Sequence, residues 1–169
     1  AFMARAGELG VDQALTFLRE VDAVNLRRRE HVVDLAHREL GGSVKGKVIA
    51  VLGAAFKPNS DDVRDSPALD VAGRLHLSGA NVRVYDPAAN ETAAAVWPTL
   101  TFAGSVLEAC EGADLVIVAT EWKEFREADP QAVGEVVAHR RVIDGRNCLD
   151  PDAWIAAGWA YRGMGRHAA

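Results

Sequence analysis

The chain has 169 residues, 49% of them apolar and 25% charged, with a formal net charge of −5. Those proportions suit one soluble domain, or one domain plus an appended piece, and the negative balance argues against nucleic acid or an anionic membrane as a general partner. No apolar run approaches the ~20 residues of a membrane span, the start shows no signal-peptide pattern, and two cysteines make no disulfide framework, so a reduced, cytoplasmic setting is expected.

Residues 1–6 (AFMARA) have the pattern of a helix interior, with neither a cap nor an initiator methionine at position 1, and the chain is therefore expected to be a fragment. This first helix, over residues 1–9, is closed by the breaks at Gly7 and Gly10. Asp12 then caps a second helix over 13–40, about 42 Å long at ~1.5 Å per residue. Leu15, Leu18, Val21, Val24, Val32, Leu35, Ala36 and Leu40 recur along it at helical spacing. A domain of this size cannot cover so long an apolar face, so the helix is expected to bridge two domains or to pack against a copy of itself. Asn25 and residues 27–31 (RRREH) interrupt the stripe. The arginines fit a solvated face or, more sharply, an anion contact or a pairing between subunits.

Gly41 and Gly42 stop this helix, and strands then alternate with helices. Residues 48–52 are a short, continuous apolar run rich in β-branched side chains, the pattern of a strand buried on both faces. Gly53 ends it, and thirteen positions later Ser66 and Pro67 open a helix to Leu77 as N-cap and first helical residue. Residues 82–85, 100–102, 114–120, 141–144 and 161–164 read as further strands. Residues 91–96, 106–110, 130–137 and 151–157 read as helices, with Ser105 capping the second of these and 121–125 left as a loop. The alternation predicts an α/β fold: a Rossmann-like, doubly wound parallel sheet with right-handed crossovers, preceded by the long helix. Its first and fourth strands should lie side by side at the switch point.

A first strand-to-helix connection usually needs only a few residues. Here the loop is long and carries Phe56, Lys57, Asp61, Asp62, Arg64 and Asp65 at the sheet edge where open α/β folds bind ligands. The dinucleotide fingerprint G-x-G-x-x-G is missing, since Gly53 is followed by Ala54, Ala55 and Phe56. Asp86 ends the second strand 33 residues after Gly53 rather than ~20, and with Pro87 is read as a strand terminator. Lys57 offers a cation beside Phe56 as an apolar or stacking surface. Arg146, after Asp144 and Gly145 at the end of the fifth strand, can reach across the same edge, which fits a phosphate-bearing ligand. Structural ion pairs of Lys57 and Arg146 with Asp61, Asp62 or Asp144 fit the spacing equally well. No catalytic constellation stands out. Ser66 and Ser105 are explained as caps, the five histidines show no metal-ligand spacing, and Cys110 and Cys148 read as core or inert thiols. Trp97, Trp154 and Trp159 read as packing residues, and Trp122 fits either role.

Residues 51–67 (VLGAAFKPNSDDVRDSP), 85–87 (YDP), 120–125 (TEWKEF), 144–147 (DGRN) and 21–25 (VDAVN) together resemble the carboxyl-terminal part of the UDP-glucose 6-dehydrogenase family, over nearly the whole chain. The Thr120-Glu121-Trp122 form looks more like the UDP-glucose branch than the GDP-mannose branch. The resemblance implies an enzyme of polysaccharide precursor biosynthesis that, at full length, oxidises UDP-glucose to UDP-glucuronate in two NAD-dependent steps through a thiol-linked intermediate. It further implies that residues 12–40 form a homodimer, that 1–42 are a central helical dimerisation segment truncated at its start, and that 43–169 are a Rossmann-like UDP-sugar-binding domain. Phe56, Lys57 and Arg146 would contact the UDP-sugar, and Arg64 would reach toward NAD held by an adjoining domain.

No residue of this chain inherits the catalytic role. The family's NAD domain and its Gly-rich cysteine segment are expected before Ala1, neither Cys110 nor Cys148 lies in that motif, and the 169-residue chain alone is expected to be inactive. Two alternatives stand beside this reading. One is another nucleotide-sugar dehydrogenase, acting on UDP-N-acetylmannosamine or GDP-mannose. The other is a non-catalytic nucleotide-binding or dimerisation module.

Overall fold

A computed structural model describes residues 16–165, so the helix expected over 1–9 and the cap at Asp12 lie outside the described residues. Helix α1 spans Thr16–Glu39 and is followed by the turn through Gly41 and Gly42, both at positive φ. The strands are β1 (Val48–Leu52), β2 (Asn81–Tyr85), β3 (Thr101–Phe102), β4 (Leu115–Val118), β5 (Arg141–Asp144) and β6 (Ala160–Gly163). Between them run α2 (Pro67–Leu77), α3 (Asn90–Val96), α4 (Val106–Cys110), α5 (Lys123–Arg126), α6 (Pro130–Val136) and α7 (Pro151–Ala156).

All six strands are parallel, in the order β3-β2-β1-β4-β5-β6, so chain direction across the sheet reverses between β1 and β4 as the alternation predicts. Val51 sits opposite Val84 on one side and Ile117 on the other. Ile49 and Val51 point into the core shared with α1 and α2, while Ala50 and Leu52 point into the core under α4 and α6. This two-sided burial is why β1 reads as an unbroken apolar run instead of an alternating one.

Helix α1 contributes only part of its length to that core. Val32 and Ala36, with Leu40 just past its end, are buried in that core, whereas Val21, Val24 and Leu26 nearer its start are 39–45% exposed. The helix starts are written into the sequence. Ser66 Oγ accepts from Leu69 N, Ser105 Oγ from Glu108 N, and Asp129 and Asp150 cap α6 and α7 just before their first-turn prolines. Trp97 packs its ring where a Cβ on Gly73 would stand, and Trp154 meets Trp159 edge to face at 4.6 Å, in keeping with their reading as packing residues.

One local expectation is corrected. Residues 121–125 are not simply a loop: after Glu121 and Trp122 the chain makes the single helical turn α5, held by Phe125 N and Arg126 N on the Trp122 carbonyl. Phe125 is fully buried and lies edge-on to Tyr85, a burial worth about 1.5–3 kcal/mol that anchors the turn.

Candidate functional site

The carboxyl edge of the sheet is built around a buried carboxylate. Asp86 is 2% exposed, and it takes five N–H groups. Its Oδ2 accepts from Ala54 N at 2.8 Å, Ala55 N at 3.0 Å and Trp122 Nε1 at 3.1 Å. Its Oδ1 accepts from Ala88 N at 3.0 Å and Ala89 N at 2.9 Å. Three loops, those after β1, β2 and β4, therefore converge on one side chain. The reading of Asp86 as a strand terminator described only its position; its carboxylate is the organising centre of this edge. Trp122, which fitted either role in the sequence, is one of its donors.

Further polar contacts brace the start of the β1 loop. Gly53 has φ 115°, and a Cβ there would overlap the side chain of Thr120. Thr120 Oγ1 donates to Ala55 O at 3.1 Å and Ser66 Oγ donates to Ala54 O at 2.6 Å. With Ala54 N and Ala55 N committed to Asp86, the loop has no free backbone donors at the place where a dinucleotide pyrophosphate would need them. The residues present do not fit NAD on this sheet.

Beyond Ala55 the loop folds on itself. Phe56 N donates to Asp62 O at 2.8 Å, Asp62 N to Ser60 Oγ at 3.1 Å, and Arg64 N to Asp62 Oδ1 at 3.0 Å, with Asn59 and Asp65 at positive φ. The Arg64 guanidinium grips Asp62 through Nε at 2.9 Å and Nη2 at 2.8 Å. That side-chain contact, then the Arg64 backbone N–H, holds the Asp62 carboxyl down to about 2. At the tip Phe56 is 50% exposed, and Lys57 is exposed without a hydrogen-bond or ion-pair partner among the described residues. Lys57 makes no direct ion pair with Asp61 or Asp62 as the spacing allowed; Asp62 is bound by Arg64, and the Lys57 charge acts on it only from a longer distance.

The end of the loop is tied to the long helix. Arg29 Nη2 donates to the Asp65 carboxylate and to its carbonyl, each at 3.2 Å, and Nη1 lies 3.8 Å from Asp70. The arginine run thus divides: Arg27 and Arg28 are exposed, while Arg29 is turned inward onto an anionic patch of its own chain.

Across β4, Asp144 at the end of β5 repeats the role of Asp86 on a smaller scale. It is fully buried; Oδ2 accepts from Leu149 N at 2.8 Å and Tyr161 Oη at 2.9 Å, and Oδ1 from Arg146 N at 3.1 Å. A Cβ on Gly145 would come within 2.9 Å of Val118 O, so the chain turns tightly against β4 before presenting Arg146. The Arg146 guanidinium does not pair with Asp144. Its Nε donates to the Glu121 carboxylate, an acid that spacing did not single out, and that contact pulls the Glu121 carboxyl below its ordinary range.

Neither thiol is poised for chemistry. Burial pushes Cys110 up to about 12, and burial together with the charges of Asp144 and Glu121 pushes Cys148 up to about 12. Among the described residues no cluster of His, Cys, Asp and Glu side chains could hold a metal ion, and no helix is long and apolar enough to cross a membrane.

This arrangement can be set beside known proteins. A family-level profile described as the UDP binding domain of the UDP-glucose/GDP-mannose dehydrogenase family matches residues 50–151, from inside β1 to the start of α7. The chain belongs to the UDP-glucose/GDP-mannose dehydrogenase family. Among relatives in this dehydrogenase family, UDP-glucose 6-dehydrogenase YwqF of Bacillus subtilis is 37% identical over 159 residues, 94% of this chain and 36% of that protein. UDP-glucose 6-dehydrogenase of Pseudomonas aeruginosa is 36% identical over 172 residues, 98% of this chain and 38% of that protein. The solved UDP-glucose dehydrogenase of Pyrobaculum islandicum superposes with a TM-score of 0.79 at 32% identity, covering 96% of this chain and 35% of that one. The present member of the family thus spans little more than a third of the length of these relatives.

Proposed function

We propose that this chain supplies the nucleotide-sugar side of a UDP-glucose 6-dehydrogenase, the enzyme that oxidises UDP-glucose to UDP-glucuronate with two NAD. The observation that carries this reading is an exposed cation with no hydrogen-bond or ion-pair partner among the described residues, Lys57, standing beside half-exposed Phe56 on a braced loop, at the same sheet edge as Arg146. Phe56 offers an apolar face to the ligand, while Lys57 and Arg146 neutralise its phosphates from the two sides of β4. Membership in a family whose matching domain is described as UDP-binding supports the same assignment.

In this reading residues 43–169 are the UDP-sugar-binding domain and residues 1–42 the dimerisation segment. The exposure of Val21, Val24 and Leu26 on α1 supports a contact with a second copy through residues 12–40. NAD is held by another part of the whole enzyme, since the β1 loop of this sheet has its donors in use, and Arg64, exposed at the outside of the loop, is the residue of this chain that reaches toward it. The 169-residue chain by itself performs no oxidation. A thiol-linked intermediate needs a thiolate, and both of its cysteines are held protonated.

The test is calorimetric titration with UDP. Lys57→Ala removes one charge-assisted phosphate contact and should weaken binding by about 1.5–3 kcal/mol, on the order of 10- to 150-fold. Unchanged affinity in that variant removes Lys57 from the site, and NADH formation from UDP-glucose and NAD by this chain alone refutes the division of labour.

A further inference from the structure

We infer that Glu121 is a positioning residue for Arg146: an internal carboxylate that holds the guanidinium at the ligand edge until an anionic group of the ligand displaces it. The inference rests on the reading of Arg146 as a phosphate contact and adds to it the group that phosphate must replace.

The sheet order puts Glu121 where such a role is possible. β4 lies between β1 and β5, so the segment after β4 runs between the loop that carries Lys57 and the turn that carries Arg146. The backbone of Arg146 is fixed, because its N–H is bound by buried Asp144 and the preceding glycine packs against the Val118 carbonyl. Its side chain is not committed in the same way. Asp144 does not take the guanidinium: it is fully buried, with Oδ1 on the Arg146 N–H and Oδ2 on Leu149 N and Tyr161 Oη. The guanidinium lies instead on Glu121, in a pair whose two side chains are 38% and 36% exposed.

That combination has a chemical meaning. A carboxylate and a phosphate present the same kind of oxygen edge to a guanidinium, so Glu121 satisfies donors that a phosphate can satisfy more strongly. A solvent-reachable ion pair is worth little, so it orients the arginine at small cost and yields to a more highly charged competitor. Asp86 and Asp144 differ on both counts: they are buried and bind backbone N–H groups, so no ligand can take their place. Glu121 also sets a threshold. A weakly charged ligand does not displace it, and a diphosphate does.

The experiment is a double-mutant cycle read by calorimetric titration of the chain with UDP, using wild type, Glu121→Gln, Arg146→Ala and the double variant. Glu121→Gln replaces the charged acceptor with a weaker neutral one, loosening the hold on the guanidinium, and should tighten UDP binding about two- to fivefold, the range an exposed ion pair can withhold. In the Arg146→Ala background the same change should have no effect. Glu121→Gln that leaves binding unchanged or weaker overturns the inference. So does an equal gain with Arg146 absent, which would mark simple charge repulsion between Glu121 and the ligand. Wild-type binding by Arg146→Ala instead sinks the parent reading of Arg146, a separate result. Should Glu121→Gln disturb folding, seen as a lowered thermal midpoint, Glu121→Ser gives the same readout.

Discussion

Replacing Asp86 with Asn tests the organisation of the whole ligand edge. The amide keeps the size of the carboxylate but can accept on one side only, and its NH2 must face some of the donors that now point at Oδ1 or Oδ2. The less damaging orientation turns the NH2 toward Ala88 N and Ala89 N, leaving Ala54, Ala55 and Trp122 on the remaining oxygen. The buried donor Ala89 N then loses its acceptor, at about 1–3 kcal/mol, Ala88 N on its exposed residue turns to water, and the other three exchange a charged acceptor for a neutral one at about 1 kcal/mol each. Allowing for relaxation, the loss should be about 3–5 kcal/mol. For a domain of this size that lowers the thermal midpoint by roughly 6–20 °C, at about 2–4 °C per kcal/mol. Urea unfolding followed by far-ultraviolet circular dichroism measures it directly, with the slope unchanged and the midpoint moved. A loss below about 1 kcal/mol would show that the five N–H groups do not depend on the charge, and the account of Asp86 as the centre of this edge would be wrong.

Other outcomes follow from the same geometry. The Asp62 carboxyl has an ordinary value of 3.8 and is held down to about 2 by Arg64, so its contribution to stability is present above about pH 4 and is lost as pH falls toward about 2. A carboxyl NMR titration should place its midpoint near the lower figure in wild type and move it up in Arg64→Ala; an unmoved midpoint refutes the pairing. Both cysteines should react slowly with a thiol reagent at pH 8 in the folded chain and readily in denaturant, while fast labelling of Cys148 under native conditions would contradict its raised value. Val24→Asp on the exposed stripe of α1 should turn a dimer into a monomer in sedimentation without lowering the midpoint of the domain; a wild-type chain that is monomeric at high concentration defeats the proposed role of that helix.

The parts of this molecule that could be read from sequence are those encoded by neighbours along the chain. The apolar run 48–52, the Ser66 and Pro67 start of α2 and the Ser105 cap act over a few residues, and each appears where its pattern puts it. The site is different in kind. Asp86 binds backbone N–H groups 31 and 32 positions earlier, and backbone donors leave no mark in the identity of their residues. Glu121 meets Arg146 across 25 positions and Arg29 meets Asp65 across 36, pairings that exist only once β4 lies beside β5 and α1 lies across α2. Spacing correctly brought Lys57 and Arg146 to one edge, because strand ends fix that. It could not say which acid each cation would find, and it named Asp61, Asp62 and Asp144 where the structure uses Glu121 for one and gives the other no direct ion pair among the described residues.

Arg29 ties the long helix to that edge. Its contacts with Asp65 and Asp70 join α1 to the residue just beyond Arg64, while Val21, Val24 and Leu26 nearer the start of the helix are exposed. The Asp65 side chain is open to solvent, so the tie is a soft one. A roll of α1 about its axis would tug on Asp65, and through it on Arg64, without breaking the bonds that brace the start of the loop. A substitution among the exposed residues of α1, remote from every phosphate contact, would then register at the Arg64 end of the loop before it reached Ala54 and Ala55.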